Sequence, residues 1–509
     1  MISDKDSYTV FLIFAAIIIA VIWYVHQASW WRYRLPPGPL GVPVLGMLPY
    51  LDPKNPAKSI EVMSKRYGKV FSGNLGNHRA VFLNDYETMK EAFSRSDDSL
   101  SDRPRISVFE LYSSGNGVAC CYIDNHWKTQ RRFALRALRN CGMGRHDGFL
   151  CKEIVREAGT MLDRWTAKRD PFDPTVDISM MVCNVICKMV FGRRFAYEDE
   201  EFREFVHMID RIFQLSDVAG VVNYLDFMKY VPFSGYSELG EASQRLESGL
   251  FTKECAEHRT TFDIDREPRD LIDAYLLEME KRKQAMARGS NEGLSMGGFT
   301  DEQLIHFMAD IFAAGTDTTA TTIRWTILHC AKFTEVQRKV HEELDRVVGR
   351  GRMPTMLDRP NLPYTQALLA ESLRHPCPGP FGVPHGAKED TKILGFDVPK
   401  GTVVIGNLYA VLHDPEIFTD PEVFNPDRFL DQNGELIAPL VEKANIQFGI
   451  GRRACIGEKL AHTERFMFVT HILHRFTVEA PNGPDSLSIE SCGGLARNAA
   501  PYKVLLKVR

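Results

Sequence analysis

The chain has 509 residues, 44% hydrophobic and 10% aromatic, with 62 basic and 66 acidic side chains and a net charge of −4. That length can bury a large core and sets a prior of two or three domains, while the charge balance excludes a global attraction to nucleic acid and leaves any electrostatic docking to local patches. Eleven cysteines, an odd number without paired C-x-x-C spacing, argue against a disulfide framework or a zinc site. Cys183, Cys187 and Cys330 lie in apolar surroundings, and the adjacent Cys120 and Cys121 are poorly placed to pair with each other. The body of the chain is therefore read as facing a reducing compartment.

Residues 10–25, VFLIFAAIIIAVIWYV, carry no charge. As a helix they span about 24 Å, close to the roughly 30 Å hydrocarbon core once Trp23, Tyr24, Trp30 and Trp31 sit at the interface. Asp4, Lys5 and Asp6 precede the stretch and Arg32 and Arg34 follow it, so the positive-inside rule puts the N-terminus in the lumen and the body in the cytosol. A cleaved signal peptide is the competing reading, disfavoured by the lack of a basic n-region and of a small-residue cleavage site. LPPGPLGVP (35–43) then cannot continue the helix and makes a stiff, extended linker. The expected division is an N-terminal membrane anchor over 1–34 and a single body over 35–509.

Residues 69–89 alternate apolar and polar side chains between glycines and read as a short sheet. From Glu91 onward helical periodicity dominates. In HWKTQRRFALRALRN (126–140), Lys128, Arg132, Arg136 and Arg139 follow one another at steps of four, four and three, a basic stripe that is either a landing site for an acidic partner or an ordinary solvated face. Further amphipathic stretches run over 146–166, 177–192, 198–214, 241–258, 269–288, 301–332 and 334–348. ARGSNEGLSMGG (287–298) reads as a solvent loop that delivers Thr300, with Gln303 three residues on, as the capping-box start of the helix at 301–332. In its middle, AAGTDTT (313–319) combines Gly315 with a run of threonines, which weakens the ladder and predicts a local bulge. Strand signals return at 391–408 and in the C-terminal YKVLLKV. The expected fold is mainly α with a small β-rich portion and no internal repeat.

Two charged motifs follow in order: ESLR, with Glu371 three residues before Arg374, and FNPDRF, with Arg428. One carboxylate between two guanidiniums suits bidentate pairing. FGIGRRACIG (448–457) then sets Cys455 among three glycines and two arginines. A cysteine thiolate is a strong ligand for haem iron and favours O–O cleavage, but the sulfur needs room for a flat macrocycle. Gly451 and Gly457 allow close backbone approach and unusual dihedrals, and N–H groups aimed at the sulfur would tune its charge. Arg453 can answer haem propionates, and Phe448 supplies a ring beside the porphyrin. A buried cysteine in a glycine turn is the plainer alternative.

The full pattern F-x-x-G-x-R-x-C-x-G, with these motifs in this order along nearly the whole chain, resembles the cytochrome P-450 superfamily of haem-thiolate monooxygenases, of the animal microsomal type. The resemblance implies the cytochrome P-450 fold over 35–509 as the catalytic domain, and haem b with Cys455 as its axial thiolate. It implies that Trp127, Arg131 and the histidine of GVPHGA, His385, bond to propionates, with a structural histidine as the alternative at 385. Glu371, Arg374 and Arg428 would form a buried charge network behind the haem. The groove at 313–319 would hold dioxygen, with Asp317 and Thr318 relaying protons and Ala313, Ala314 and Gly315 small to make room. The implied reaction inserts one oxygen atom from O2 into a lipophilic substrate: a steroid, terpenoid, fatty acid or xenobiotic. Electrons would come from an NADPH-dependent FAD/FMN reductase, with cytochrome b5 as an optional second donor, at the endoplasmic reticulum membrane with the catalytic domain in the cytosol. The chain has no flavin or nicotinamide fingerprint of its own, so the electrons arrive from elsewhere. A haem-thiolate isomerase or dehydratase working without a reductase is the alternative function. Two departures stand out. HPCPGPFGVP after Arg374 is more polar and turn-rich than the apolar run of microsomal relatives, and no arginine between Asp102 and Gly117 aligns clearly with a propionate-binding one, Arg103 and Arg105 being nearby.

Overall fold

The structure, a computed structural model, describes residues 32–95, 97–145, 148–288, 296–493 and 496–509. The anchor read at 10–25 and most of the loop read at 287–298 lie outside the described residues. Among the described residues no helix is long and apolar enough to cross a membrane.

After the linker, α1 (Pro56–Tyr67) leads into the antiparallel strands β1 (Val70–Leu75) and β2 (His78–Leu83), whose register sets Phe71 opposite Phe82 with ring centroids 4.6 Å apart. This cross-strand pair helps hold the sheet read at 69–89, which is present over 70–83 and gives way to helix from Tyr86. α2 (Tyr86–Phe93), α3 (Ser107–Ser113) and α4 (Asn125–Asn140) follow, the last started by Asp124, whose carboxylate accepts from the Trp127 N–H at 2.7 Å. The long helices then come in series: α5 (Phe149–Thr166), α6 (Thr175–Phe191), α7 (Glu200–Val218), α8 (Tyr236–Leu246), α9 (Thr252–Thr261), α10 (Leu271–Ala287), α11 (Asp301–Lys332), α12 (Thr334–Val347) and α13 (Pro363–Arg374). Two short helices, α14 (Leu408–Leu412) and α15 (Ala438–Ala444), precede α16 (Glu458–Arg475).

The core lies where α11 packs on α6 and α16, and α5 on α6 and α16. Nearly every side chain of α6 is buried, as its continuous apolar run requires, and Trp165 on α5 and Trp325 on α11 are fully buried. Full burial of a large apolar side chain is worth roughly 1.5–3 kcal/mol, so these helices are the energetic centre of the fold. The remaining strands are β3 (His385–Gly386), β4 (Thr391–Ile393), β5 (Phe396–Val398), β6 (Val403–Gly406), β7 (Phe476–Glu479), β8 (Ser491–Cys492), β9 (Asn498–Ala499) and β10 (Leu505–Val508). The main sheet has the order β1-β2-β6-β3, with β6 parallel to β2, and the others form two-stranded pairs β4–β5, β8–β9 and β7–β10.

Two expectations are corrected here. The stretch at 241–258 is not one helix: a π-helical segment, Glu247–Phe251, joins α8 to α9, and Gly249 at φ −85° and ψ −114° supplies the break. The bulge expected at Gly315 is absent, since α11 runs unbroken from Asp301 to Lys332. Its threonines return their hydroxyls to the ladder instead of opening it: Thr318 Oγ1 donates to Ala314 O at 2.6 Å, and Thr322 and Thr326 do the same at 2.9 Å to Thr318 O and Thr322 O. Half of the expected capping box is present: Thr300 Oγ1 accepts from the Gln303 N–H at 3.1 Å, but the Gln303 side chain turns to Gly117 instead of back to the Thr300 N–H.

Candidate active site

The decapeptide at 448–457 is a tight loop that ends at the head of α16. The Cys455 N–H donates to Phe448 O at 2.7 Å, which closes the loop on itself. Gly451 sits at φ +76°, and a Cβ there would lie 1.9 Å from the Phe93 carbonyl oxygen at the end of α2. Gly457 has φ −93° and needs no special backbone; a Cβ on it would meet the Cys455 sulfur at an ordinary 3.9 Å. Of the two glycines, then, only Gly451 uses glycine's freedom, and it does so to admit a neighbouring carbonyl. Phe448 is half-buried and packs its ring 4.8 Å from that of His462. Cys455 is accessible yet crowded on most sides by protein, and this desolvation raises its thiol pKa. The main-chain N–H groups of Gly457 and Glu458 and the charge of Arg131 pull the other way, and Glu458 adds to the rise. Those N–H donors at a helix head favour a thiolate, and a metal cation on the sulfur would complete the balance.

Above the loop, side chains from distant parts of the chain bring buried positive charge together. Arg103 donates to Ala119 O at 2.8 Å and to Val383 O and Pro384 O at 2.9 Å. Arg453 donates to Ser101 O and Cys121 O at 2.8 Å, with its guanidinium 4.1 Å over the Trp127 ring. Arg131 donates to Ala454 O, and the Trp127 indole N–H to Val118 O at 3.0 Å. His385, on β3, sets Nδ1 2.7 Å from Leu100 O and stacks on Phe93 at 4.0 Å. Burial and repulsion from neighbouring arginines push Arg103 down to about 9, Arg131 to about 10 and His385 to about 3, and burial lowers Arg453 against the pull of Cys121 and Asp102. These arginines bond to carbonyls, and among the described residues none forms an ion pair with a carboxylate. Asp310 and Asp102 act on Arg103 and Arg453 only at a distance, and buried cations without a directly paired carboxylate are costly, so the donor set fits a ligand that brings anionic groups alongside a metal for the sulfur, as a haem with two propionates does. Of the two arginines at 103 and 105, Arg103 turns inward, while Arg105 is exposed and stacks on Tyr122 at 5.0 Å.

The loop at 117–121 ties this cluster to α11. Asp310 Oδ2 accepts from the Val118 and Ala119 N–H groups at 2.6 and 3.0 Å, and Gln303 pairs with both the N–H and the carbonyl of Gly117. From the sequence Gln303 is read only as a cap and Asp310 is not singled out, although two polar side chains seven apart on an apolar helix face were the available signal. Further along α11, Ala314 and Thr318 are exposed in the middle of a largely buried helix. Asp317 is pushed up to about 7 by burial and by the carboxylates of Asp210 and Asp217, against the pull of Arg324. The smallness of Gly315 has another cause than ligand room: a Cβ there would lie 2.7 Å from Ile186 Cδ1 on α6.

Glu371, Arg374 and Arg428 come together as a fully interlocked group. Arg374 Nε and Nη2 reach Glu371 at 2.6 and 2.8 Å, Arg428 Nε reaches it at 3.2 Å, and both Glu371 and Arg374 are 0% exposed. The basic stripe of α4 is half neutralised instead: Lys128 pairs with Asp98 at 2.7 Å and Arg136 with Glu278 at 3.0 Å, while Arg132 and Arg139 are exposed. The turn-rich segment after Arg374 is held by the C-terminal strand region, with Arg497 donating to Pro376 O at 2.8 Å and its N–H to Pro378 O at 2.9 Å.

A sequence model described as Cytochrome P450 matches residues 36–506. Cytochrome P450 2D28 of Mesocricetus auratus is 33% identical over 499 residues, 96% of this chain and 96% of that protein. Cytochrome P450 2U1 of Bos taurus is 32% identical over 525 residues, 97% and 94% of the two chains, and Cytochrome P450 2J3 of Rattus norvegicus is 35% identical over 474 residues, 91% and 90%. With likeness over this length, and with an accessible cysteine in the glycine-rich loop close to buried cations, the chain belongs to the cytochrome P450 family of monooxygenases.

Proposed function

We propose that the chain binds haem b through the Cys455 thiolate and inserts one oxygen atom from O2 into a lipophilic substrate, with electrons from an NADPH-dependent FAD/FMN reductase. The observation that carries this reading is the pairing of Cys455, under two helix-head N–H donors, with Arg103, Arg131 and Arg453, which have no carboxylate partner. When bound, the haem supplies the oxygen-activating chemistry that an electron-rich thiolate ligand favours. The protein's own residues then divide the work. Arg103, Arg131, Arg453, Trp127 and His385 receive the two carboxylates, and protonation of His385 beside them adds a further donor. Phe448, Gly451 and Gly457 shape the cysteine loop.

Thr318 and Asp317 hold and move protons. Thr318 Oγ1 is accessible and donates its one hydrogen to Ala314 O, so passing a proton on requires that hydrogen to turn away from Ala314 while an oxygen lone pair accepts from a second donor. Asp317, near neutral in pKa, can both give and take a proton at physiological pH. Glu371, Arg374 and Arg428 keep the core behind the loop in one arrangement.

Residues 1–34 are the membrane anchor in this reading, and the endoplasmic reticulum membrane is the location. A surface patch supports attachment of the body as well. Phe233 is 99% exposed and Tyr230 78%, and their segment lies against the β1–β2 turn through the Asn77 N–H to Tyr224 O bond of 2.9 Å. The same turn bonds to Leu45 O, close to Leu40, itself 87% exposed. Both segments expose apolar side chains that can meet lipid. Arg132 and Arg139 on α4 are the free cations for the acidic reductase.

Two variants test the assignment. Cys455→Ser is expected to lose the red-shifted absorbance of the reduced carbon monoxide complex, and survival of that band assigns another ligand. Thr318→Ala is expected to keep haem and substrate binding while reductase-driven NADPH consumption yields hydrogen peroxide in place of product. Product formed without NADPH and unaffected by Thr318→Ala would instead identify an isomerase.

A further inference from the structure

Away from the Cys455 site, the C-terminal end of α9 and the head of α10 meet in a buried corner of charges. His258, in the last turn of α9, is buried, with Nδ1 2.7 Å from Glu254 O one turn back and Nε2 2.9 Å from Asp270 Oδ2. Asp270 is the N-cap of α10, and its Oδ1 accepts from the Asp273 N–H at 3.0 Å. Both ring nitrogens therefore face acceptors. A carbonyl only accepts, so Nδ1 carries a hydrogen, and Nε2 meets the carboxylate favourably only when it carries one as well. A neutral imidazole has a single N–H, so the protonated ring is the form that completes this corner.

Charge balance asks for the same proton. Glu254, Asp270 and Asp273 are all buried; Arg193 pairs with Glu254 and Arg269 with Asp273 at 2.5 Å, which leaves Asp270 to His258. The other groups around the corner are engaged or neutral. Lys188 Nζ donates to Gly192 O at 2.5 Å, Arg259 pairs with Asp301, Glu257 is exposed, and burial with nearby carboxylates pushes the Cys141 and Cys255 thiols up to about 11 and about 12. A Cβ on Gly192 would lie 2.8 Å from Asp270 Oδ2, so the chain itself crowds that oxygen. The two helix ends favour this charge state as well, with a cation at the last turn of α9 and an anion at the head of α10. We propose that this corner is a proton-operated clasp: protonated His258 ties the end of α9 to the cap of α10, and loss of the proton at alkaline pH frees the turn at 262–270. Burial lowers the His258 pKa, but the bond to Asp270, its charge, Glu254 O and Asp273 outweigh it and the net shift is upward. With the folded pKa above the ordinary 6.5, the stabilisation is full below 6.5 and is lost as the pH rises through the folded value. Because Glu247–Phe251 joins α9 to α8, the clasp fixes the far end of that pair of helices.

The test is hydrogen exchange of the full chain with its cofactor, read by mass spectrometry. Exchange of the histidine C2 hydrogen gives the pKa of His258 within its own peptide, and backbone amide exchange, corrected for the intrinsic effect of pH, reads opening of residues 252–274. In the wild type the His258 pKa is expected above 6.5, and amide protection over 252–274 is expected to fall several-fold between pH 6.5 and pH 9 while α5 and α16 stay protected. Asp270→Asn keeps a capping side chain and removes the charge, and is expected to bring the His258 pKa down. His258→Gln offers a donor at every pH without a charge, and is expected to start near the wild type's pH 9 protection and to stay there. The proposal is overturned if the wild-type His258 pKa is at or below 6.5, if wild-type protection over 252–274 does not fall, or if His258→Gln shows the same fall as the wild type. The C2 measurement on the wild type needs no variant, so a variant that fails to fold does not spare the proposal.

Discussion

Gly451 shows how a single atom can decide a loop. At φ +76° with the Phe93 carbonyl oxygen where a Cβ would stand, Gly451→Ala combines left-handed strain with a backbone collision that no side-chain rotation relieves. It is expected to cost about 3 kcal/mol or more and to lower haem content, whereas Gly457→Ala, at φ −93° and ordinary contact distance, costs much less; comparing thermal unfolding of the two checks this. Asp317 carries a pH signature. Its folded pKa, about 7, is above the ordinary value of 3.8, so its contribution to stability is full below about 3.8 and falls as the pH rises through 7. Asp317→Asn is expected to exceed the wild type in thermal unfolding by much more at pH 8 than at pH 5, where only the first part of the loss has occurred. The same difference at both pH values would exclude Asp317 as the titrating group.

Between elements, charges act according to what they already face. Lys128 and Arg136 point from the α4 stripe toward Asp98 and Glu278, so their charge is largely spent within the molecule, while Arg132 and Arg139 are free to meet a partner. Arg132→Glu and Arg139→Glu are each expected to raise the KM for the reductase several-fold and to flatten its salt dependence, with little effect from Lys128→Ala or Arg136→Ala. Steady-state titration with reductase at two ionic strengths is the measurement; equal effects at all four positions would mean that the internal pairs open on docking. The periodicity of α5, α10, α11 and α12 was legible in the sequence because amphipathic helices carry their pattern locally, whereas α6, read as amphipathic over 177–192, is buried on nearly every side. The break at Glu247–Phe251 was not, because a serine and a glycine in an otherwise helical run do not say whether the chain will continue or widen into a π turn. The expected bulge in α11 failed for the complementary reason: threonine hydroxyls that could have opened the ladder found acceptors within it.

Over the whole molecule, surface and core are separable. A chain beginning at Leu35 is expected to fold and bind haem, because every buried cluster lies beyond that point, and to remain partly with phospholipid vesicles through the exposed patch at 221–233. Changing Phe227, Tyr230 and Phe233 to serine in that shortened chain is expected to release it, as read by co-sedimentation; unchanged sedimentation would place the lipid contact elsewhere. The sequence by itself determined the fold class, the cysteine loop, the Glu371–Arg374–Arg428 group and the family, because each is written in local spacing and residue type. Only the tertiary structure decided which arginine near position 103 turns inward, that Gly315 is small for Ile186, that Asp310 and Gln303 hold the 117–121 loop, and that Asp317 sits among other carboxylates. Those outcomes depend on residues far apart in the chain being brought within a few ångströms, where burial and neighbouring charge, neither of which a linear pattern carries, set what each side chain can do.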